Sequence, residues 1–218
     1  MSDKLRILVT GFGPFPGAPH NPAQALVARL MKLRRPAFTD VELSSHIFPV
    51  TYKAVDRELP QALAKHKPQA LLMFGLASRT RHVRIEARAR NAVTMLWPDA
   101  SQTHSRKGSI ESGAGAKLFG AHTAKLLRAA LASGIDASLS RDAGSYLCNY
   151  LSWRAIEATQ REGGPRLAAF IHVPLLARDG TARIPGGITL DALVDAGEGM
   201  LGEMIKLTRR ASHEAVLS

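Results

Sequence analysis

Residues 4–11, K-L-R-I-L-V-T-G, form a nearly unbroken apolar run that stops at a glycine. A strand buried on both faces of a parallel sheet reads this way. Two more runs share the character: Q-A-L-L-M-F-G at 69–75 and L-A-A-F-I-H-V at 167–173, the second ending at Pro174. Further strands are expected over residues 41–50 and 135–140. The segments between them carry helical spacing. Asn21 and Pro22 place a capping side chain and a proline at the start of a helix striped by Ala25, Leu26, Leu30 and Leu33. Residues 52–67 read as a helix that Pro60 should break or kink. Residues 114–133 read as an amphipathic helix closed by Gly134, and residues 190–207 as the last helix. Strands alternating with helices predict a single α/β domain over residues 1–218, with a largely parallel, twisted sheet covered on both faces.

The bulk properties agree. The chain has 218 residues, 45% of them apolar and 22% charged, which describes an ordinary globular protein with one sizeable core. The N-terminal residues are polar, and Ile7 to Val9 is too short for a signal core or a membrane span. With one cysteine and no signal, the expected compartment is the cytoplasm. The formal charge of +11 raises the question of nucleic acid. The basic residues are scattered in twos and threes, however, without zinc-finger spacing, an aromatic RNA-binding strand or a basic tail. A solvated basic surface is the simpler reading.

The chemistry gathers at strand ends, where α/β sheets carry their functional loops. The first strand runs into G-F-G-P-F-P-G at 11–17, where Pro14 and Phe15 occupy places that a dinucleotide fingerprint reserves for small residues and an opening helix. A cationic loop, S-R-T-R-H, fills 78–82. Residues 83–90 alternate: Val83, Ile85, Ala87 and Ala89 on one face, Glu86 with Arg84, Arg88 and Arg90 on the other. Residues 94–113 form a long irregular excursion, a length usually reserved for function or mobility.

Cys148, the only cysteine, lies in S-R-D-A-G-S-Y-L-C-N-Y-L-S-W at 140–153, where a strand and turn give way to helical spacing. A lone cysteine is either a small buried hydrophobe or a nucleophile. A place in the first helical turn favours the thiolate, and a lowered thiol pKa is expected. His172, near the end of a core strand, could serve as its base; a lone histidine there is more often structural. Glu86 is the best carboxylate to orient that histidine, and otherwise a surface glutamate among arginines. The other seven histidines show no metal-ligand spacing, so no metal is expected.

In order along the chain, V-T-G-F-G-P-F at 9–15, Asn21-Pro22, G-L-A at 75–77, I-E-x-x-A-x-N at 85–91, D-A-G-S-Y-L-C-N at 142–149 and F-I-H-V-P at 170–174 together resemble the pyroglutamyl peptidase I (pyrrolidone-carboxylate peptidase) family. The resemblance implies a three-layer α/β/α sandwich of the kind shared with nucleoside phosphorylases. It implies a cysteine peptidase that removes N-terminal pyroglutamate from peptides, works in the cytoplasm without metal or organic cofactor, and commonly assembles as a homotetramer. By position, Cys148 corresponds to the nucleophile, His172 to the general base and acid, and Glu86 to its orienting partner. Phe12, Phe15 and Tyr146 correspond to the aromatic lining of the pyrrolidone pocket. The chain departs from the family where Ser78, Arg79, Thr80 and Arg81 replace the usual G-G-R, and where Ile85 replaces a proline. The alternatives are another hydrolase or phosphorylase-like transferase on this scaffold, and a non-enzymatic basic protein that binds nucleic acid.

Overall fold

A computed structural model describes residues 4–217, with side chains as far as residue 211. The apolar runs form the expected strands: β1 (Leu5–Phe12), β2 (Val41–Phe48), β3 (Ala70–Leu76) and β8 (Leu167–Val173). Between β3 and β8 the chain makes β4 (Val83–Glu86), β5 (Arg88–Ala89), β6 (Lys117–Leu118) and β7 (Ala137–Ser140). The helices are α1 (Pro22–Leu30), α2 (Tyr52–His66), α3 (His122–Ala132), α4 (Leu147–Thr159) and α5 (Leu190–Leu217). Six strands make one sheet in the order β2-β1-β3-β8-β4-β7. β2, β1, β3 and β8 are mutually parallel; β4 runs antiparallel to β8 and parallel to β7. β5 and β6 pair separately as a short antiparallel ribbon.

Strand alternation sends the two side-chain sets to opposite faces. Ile7, Val9, Leu72, Phe74 and Ile171 pack with Leu26 and Leu30 of α1, Leu126 of α3, and Leu201 and Met204 of α5. Leu8, Met73 and Phe170 pack on the other face with Leu59 of α2 and Leu151 and Trp153 of α4. The sheet is therefore the middle of three layers. Each large side chain so buried contributes about 1.5–3 kcal/mol.

Local signals set most boundaries. Asn21 caps α1 by accepting from the Ala23 N–H at 3.1 Å, with Pro22 in the first turn. Thr51 caps α2 through the Ala54 N–H at 3.1 Å.

Three expectations need correction. α2 runs through Pro60 without a break. Pro60 and Asp56, whose carbonyl loses its helical donor there, both lie on the exposed side, where water can serve that carbonyl. The helix predicted from residue 114 begins only at His122, because Gly120 adopts φ +111° and Lys117–Leu118 pairs with β5 instead. Leu118, an apolar residue inside the predicted helix, is consequently exposed. The last helix continues ten residues past Leu207, to Leu217.

Candidate active site

Glu86 ends β4 and His172 lies one residue from the end of β8, and β4 and β8 are sheet neighbours. Their side chains meet: His172 Nδ1 and Glu86 Oε1 are 2.7 Å apart, with Glu86 fully buried and His172 5% exposed. A carboxylate only accepts, so Nδ1–H donates and Nε2 is left as the basic nitrogen. The face shared by Glu86 and the arginines is thus not a solvated one at this point. The strand breaks after Glu86, and the two halves join different sheets.

On its other side, His172 is the register partner of Gly75 in β3. The Cys148 sulfur rests on Gly75: a Cβ there would stand 2.8 Å from Cys148 Sγ and 2.6 Å from Phe170 Cζ. Only a residue without a side chain lets the sulfur come this close to the sheet. The Phe170 ring in turn meets His172 edge-on, with centroids 5.1 Å apart. Glu86, His172, Gly75 and Cys148 therefore converge at the carboxyl end of the central strands.

Cys148 stands in the first turn of α4, as expected. Tyr146 begins that helix without a side-chain cap, so the first backbone N–H groups are unclaimed by a capping side chain. The thiol pKa departs from expectation. Cys148 as a residue stays partly exposed. Burial nevertheless pushes its thiol up to about 12, and the Glu86 charge adds to this, against weaker opposition from its own backbone N–H and from Arg84. The helix start, which lowers a thiol pKa, is outweighed here by desolvation and the buried anion, neither of which local sequence carries. Together these two effects favour the thiol over the thiolate at Cys148.

Arg84, which sequence reading left among the surface charges, joins the constellation. Its guanidinium is 3.0 Å from Glu86 Oε1 and donates to Ser140 Oγ at 2.7 Å and to the Asp142 carbonyl. It thereby ties the carboxylate to the turn that leads into Cys148. Asn149 anchors α4 from the other side, donating to the Arg90 and Ala92 carbonyls and accepting from the Arg90 N–H at 2.7 Å. Asn149 and Asn91 were both visible in the motifs; their partners, far away in sequence, were not.

A cleft of about 890 Å³ opens beside His172 and Arg84, walled also by Phe15, Trp97 and Tyr146 among others. Tyr146 donates its hydroxyl to the Pro98 carbonyl at 2.8 Å, which draws the 94–113 excursion over the cleft. That excursion is held at its far end by Asn91, which accepts from the N–H groups of Ile110 and Glu111. Phe15 reaches the cleft from a tight turn closed by its backbone pairing with Ala18. Phe12 does not. It shares the inward face of β1 with Leu8 and is 2% exposed, its ring 6.0 Å from that of Phe48, so it supports the wall from the core.

Among the described residues, no group of three or more His, Cys, Asp or Glu could hold a metal ion. No described helix is long and apolar enough to cross a membrane.

Comparison with known proteins points the same way. The chain is 31% identical over 188 residues to the pyrrolidone-carboxylate peptidase of Gloeobacter violaceus, covering 86% of this chain and 89% of that one. It is 27% identical over 198 residues to the one from Pyrococcus furiosus, covering 88% and 94%. The solved pyrrolidone carboxyl peptidase of Thermococcus litoralis superposes with a TM-score of 0.82 at 26% identity, over 95% of this chain and 96% of that one. The family model for pyroglutamyl peptidase (Peptidase C15) matches residues 5–196, a span that holds every strand of the sheet and all three converging side chains. This chain belongs to the pyroglutamyl peptidase family.

Proposed function

We propose that this chain is a cysteine peptidase that releases N-terminal pyroglutamate from peptides, with Cys148 as nucleophile, His172 as base and acid, and Glu86 as the residue that orients His172. The observation that carries the assignment is the buried 2.7 Å pair of His172 and Glu86 beside Gly75, the residue on which the Cys148 sulfur rests.

The substrate's lactam ring is small, flat and neutral. Phe15 and Tyr146 supply apolar surface for it, and its own N–H and C=O need backbone partners. Because the thiol is held protonated, attack and proton transfer go together: Cys148 Sγ adds to the scissile carbonyl as its proton passes to His172 Nε2. In this reading the first-turn N–H groups of α4, which no capping side chain occupies, receive the oxyanion. The imidazolium, stabilised by Glu86, then protonates the departing amine and the C–N bond breaks. Water, deprotonated by the same imidazole, hydrolyses the thioester and restores the thiol.

The test is hydrolysis of a pyroglutamyl arylamide with and without iodoacetamide. Turnover that is blocked by alkylation, abolished in Cys148→Ser and indifferent to chelators is expected. Wild-type turnover by Cys148→Ser would end the assignment. The same reading extends to a homo-oligomer acting in a reducing cytoplasm. The need for a free thiol and the exposed apolar run Met95, Leu96 and Trp97 support this, and the mass in solution tests the assembly.

A further inference from the structure

Beside the catalytic cleft lies a second, smaller pocket of about 210 Å³, between the loop after β3 and the segment after β8. The two cavities share Ser78, Arg79 and Thr80 as a common wall. Three arginines line the small pocket, Arg79, Arg81 and Arg183, and no acidic residue among the described ones does. None of the three makes an ion pair or side-chain hydrogen bond among the described residues. Elsewhere the arginines that meet an acid do so closely: Arg35 with Glu198 at 2.6 Å, Arg84 with Glu86 at 3.0 Å, Arg90 with Asp142 at 2.9 Å. The loop that carries Arg79 and Arg81 is itself fixed. The Ala77 N–H donates to the Val173 carbonyl at 2.9 Å, and the Thr80 N–H and hydroxyl both donate to the Ala77 carbonyl at 3.0 Å.

We infer that this pocket is a carboxylate-recognition subsite, which reads a negative charge on the peptide beyond the pyroglutamyl residue. The inference rests on the peptidase reading above. Planar guanidinium forks match a carboxylate in geometry as well as in charge. Three such residues without a counter-ion among the described residues, around a cavity that shares a wall with the cleft, leave the negative partner to be brought by the substrate.

The reach is suitable. Ser78 is three residues from Gly75, on which the Cys148 sulfur rests, and Pro174 is two residues from His172. At about 3.3–3.6 Å per residue, the pocket begins within about 11 Å of the Gly75 backbone, and so within about 15 Å of the reacting sulfur. An extended peptide covers that distance with the second or third residue after the scissile bond. The recognised carboxylate is either an acidic side chain at that position or the carboxyl terminus of a short peptide.

Four substrates separate these sources: pyroglutamyl-Ala-Ala-amide as reference, pyroglutamyl-Ala-Glu-amide, pyroglutamyl-Ala-Ala with a free carboxylate, and pyroglutamyl-Ala-Lys-amide. At low ionic strength, kcat/KM for at least one carboxylate-bearing peptide should exceed the reference by about tenfold, the combined effect of several exposed ion pairs. The lysine peptide should fall below the reference. Adding salt to shorten the Debye length toward about 3 Å should bring the four together. In the double variant Arg81→Gln, Arg183→Gln, the ratio of acidic to neutral substrate should drop toward one, mainly through KM. A preference for the glutamate peptide alone assigns the pocket to a side chain, and for the free acid alone to the chain terminus. Equal kcat/KM for all four peptides at low salt would overturn the subsite and leave the peptidase standing. Cleavage of none would instead remove the reading on which the subsite rests.

Discussion

Gly75→Ala is the sharpest test of how the site is built. The residue has no left-handed backbone to preserve, so alanine fits its conformation and loses the unfolded-state entropy of glycine, a gain of about 0.4–1 kcal/mol. Its methyl group, however, would stand 2.6 Å from Phe170 Cζ and 2.8 Å from Cys148 Sγ. Comfortable contacts lie near 3.5–4.0 Å, so both neighbours must retreat by roughly 1 Å. Overpacking of this kind costs about 1–3 kcal/mol, leaving a net change between about zero and a loss of about 2.6 kcal/mol, and a melting point lower by at most roughly 10 °C. The larger consequence is catalytic. Sγ moves away from the sheet on which His172 is fixed, and a misplacement of about 1 Å costs on the order of 100-fold in rate. Arylamide kinetics and a thermal melt on the same sample measure both. A folded Gly75→Ala protein with kcat/KM within about threefold of wild type would refute the placement of the sulfur against Gly75.

Three other perturbations probe the remaining joints. Glu86→Gln keeps an acceptor near His172 Nδ1 but removes the charge; kcat should fall by about 10²–10⁴ with little change in KM. Iodoacetamide should meanwhile label this variant faster than wild type, because the anion that raises the thiol pKa is gone. For the wild-type thiol, pushed up to about 12, the labelling rate of the resting enzyme should climb about tenfold per pH unit from pH 6 to 9. A plateau below pH 8 would mean a preformed thiolate. Asn21→Ala removes both the α1 cap and the 3.0 Å bond from Asn21 Nδ2 to the Gly13 carbonyl. It should cost about 1 kcal/mol in denaturant unfolding and raise KM by loosening the loop that presents Phe15.

Much of this molecule was legible because its signals are local. The apolar runs at 4–11, 69–75 and 167–173 became central parallel strands, and Asn21-Pro22 opened α1 where the capping chemistry said it would. Where local signals failed, a longer-range contact had won. The apolar spacing of 114–121 is compatible with a helix, yet Lys117 and Leu118 pair with residues almost thirty positions earlier. The proline in α2 was read as a break because sequence does not say which carbonyls will face water.

The amino-acid sequence by itself determined the alternating architecture, the lone nucleophile at a helix start and an ordered set of motifs that named a family. Tertiary structure alone decided that β8, made almost last, inserts between β3 and β4, so that His172 lies beside Gly75 and meets Glu86 from 86 residues away. It also decided that Glu86 is buried, that Phe12 belongs to the core, and that burial and Glu86 push the Cys148 thiol pKa up rather than down. Burial, register and desolvation depend on what the rest of the chain places around a residue, and no neighbour in sequence carries that information.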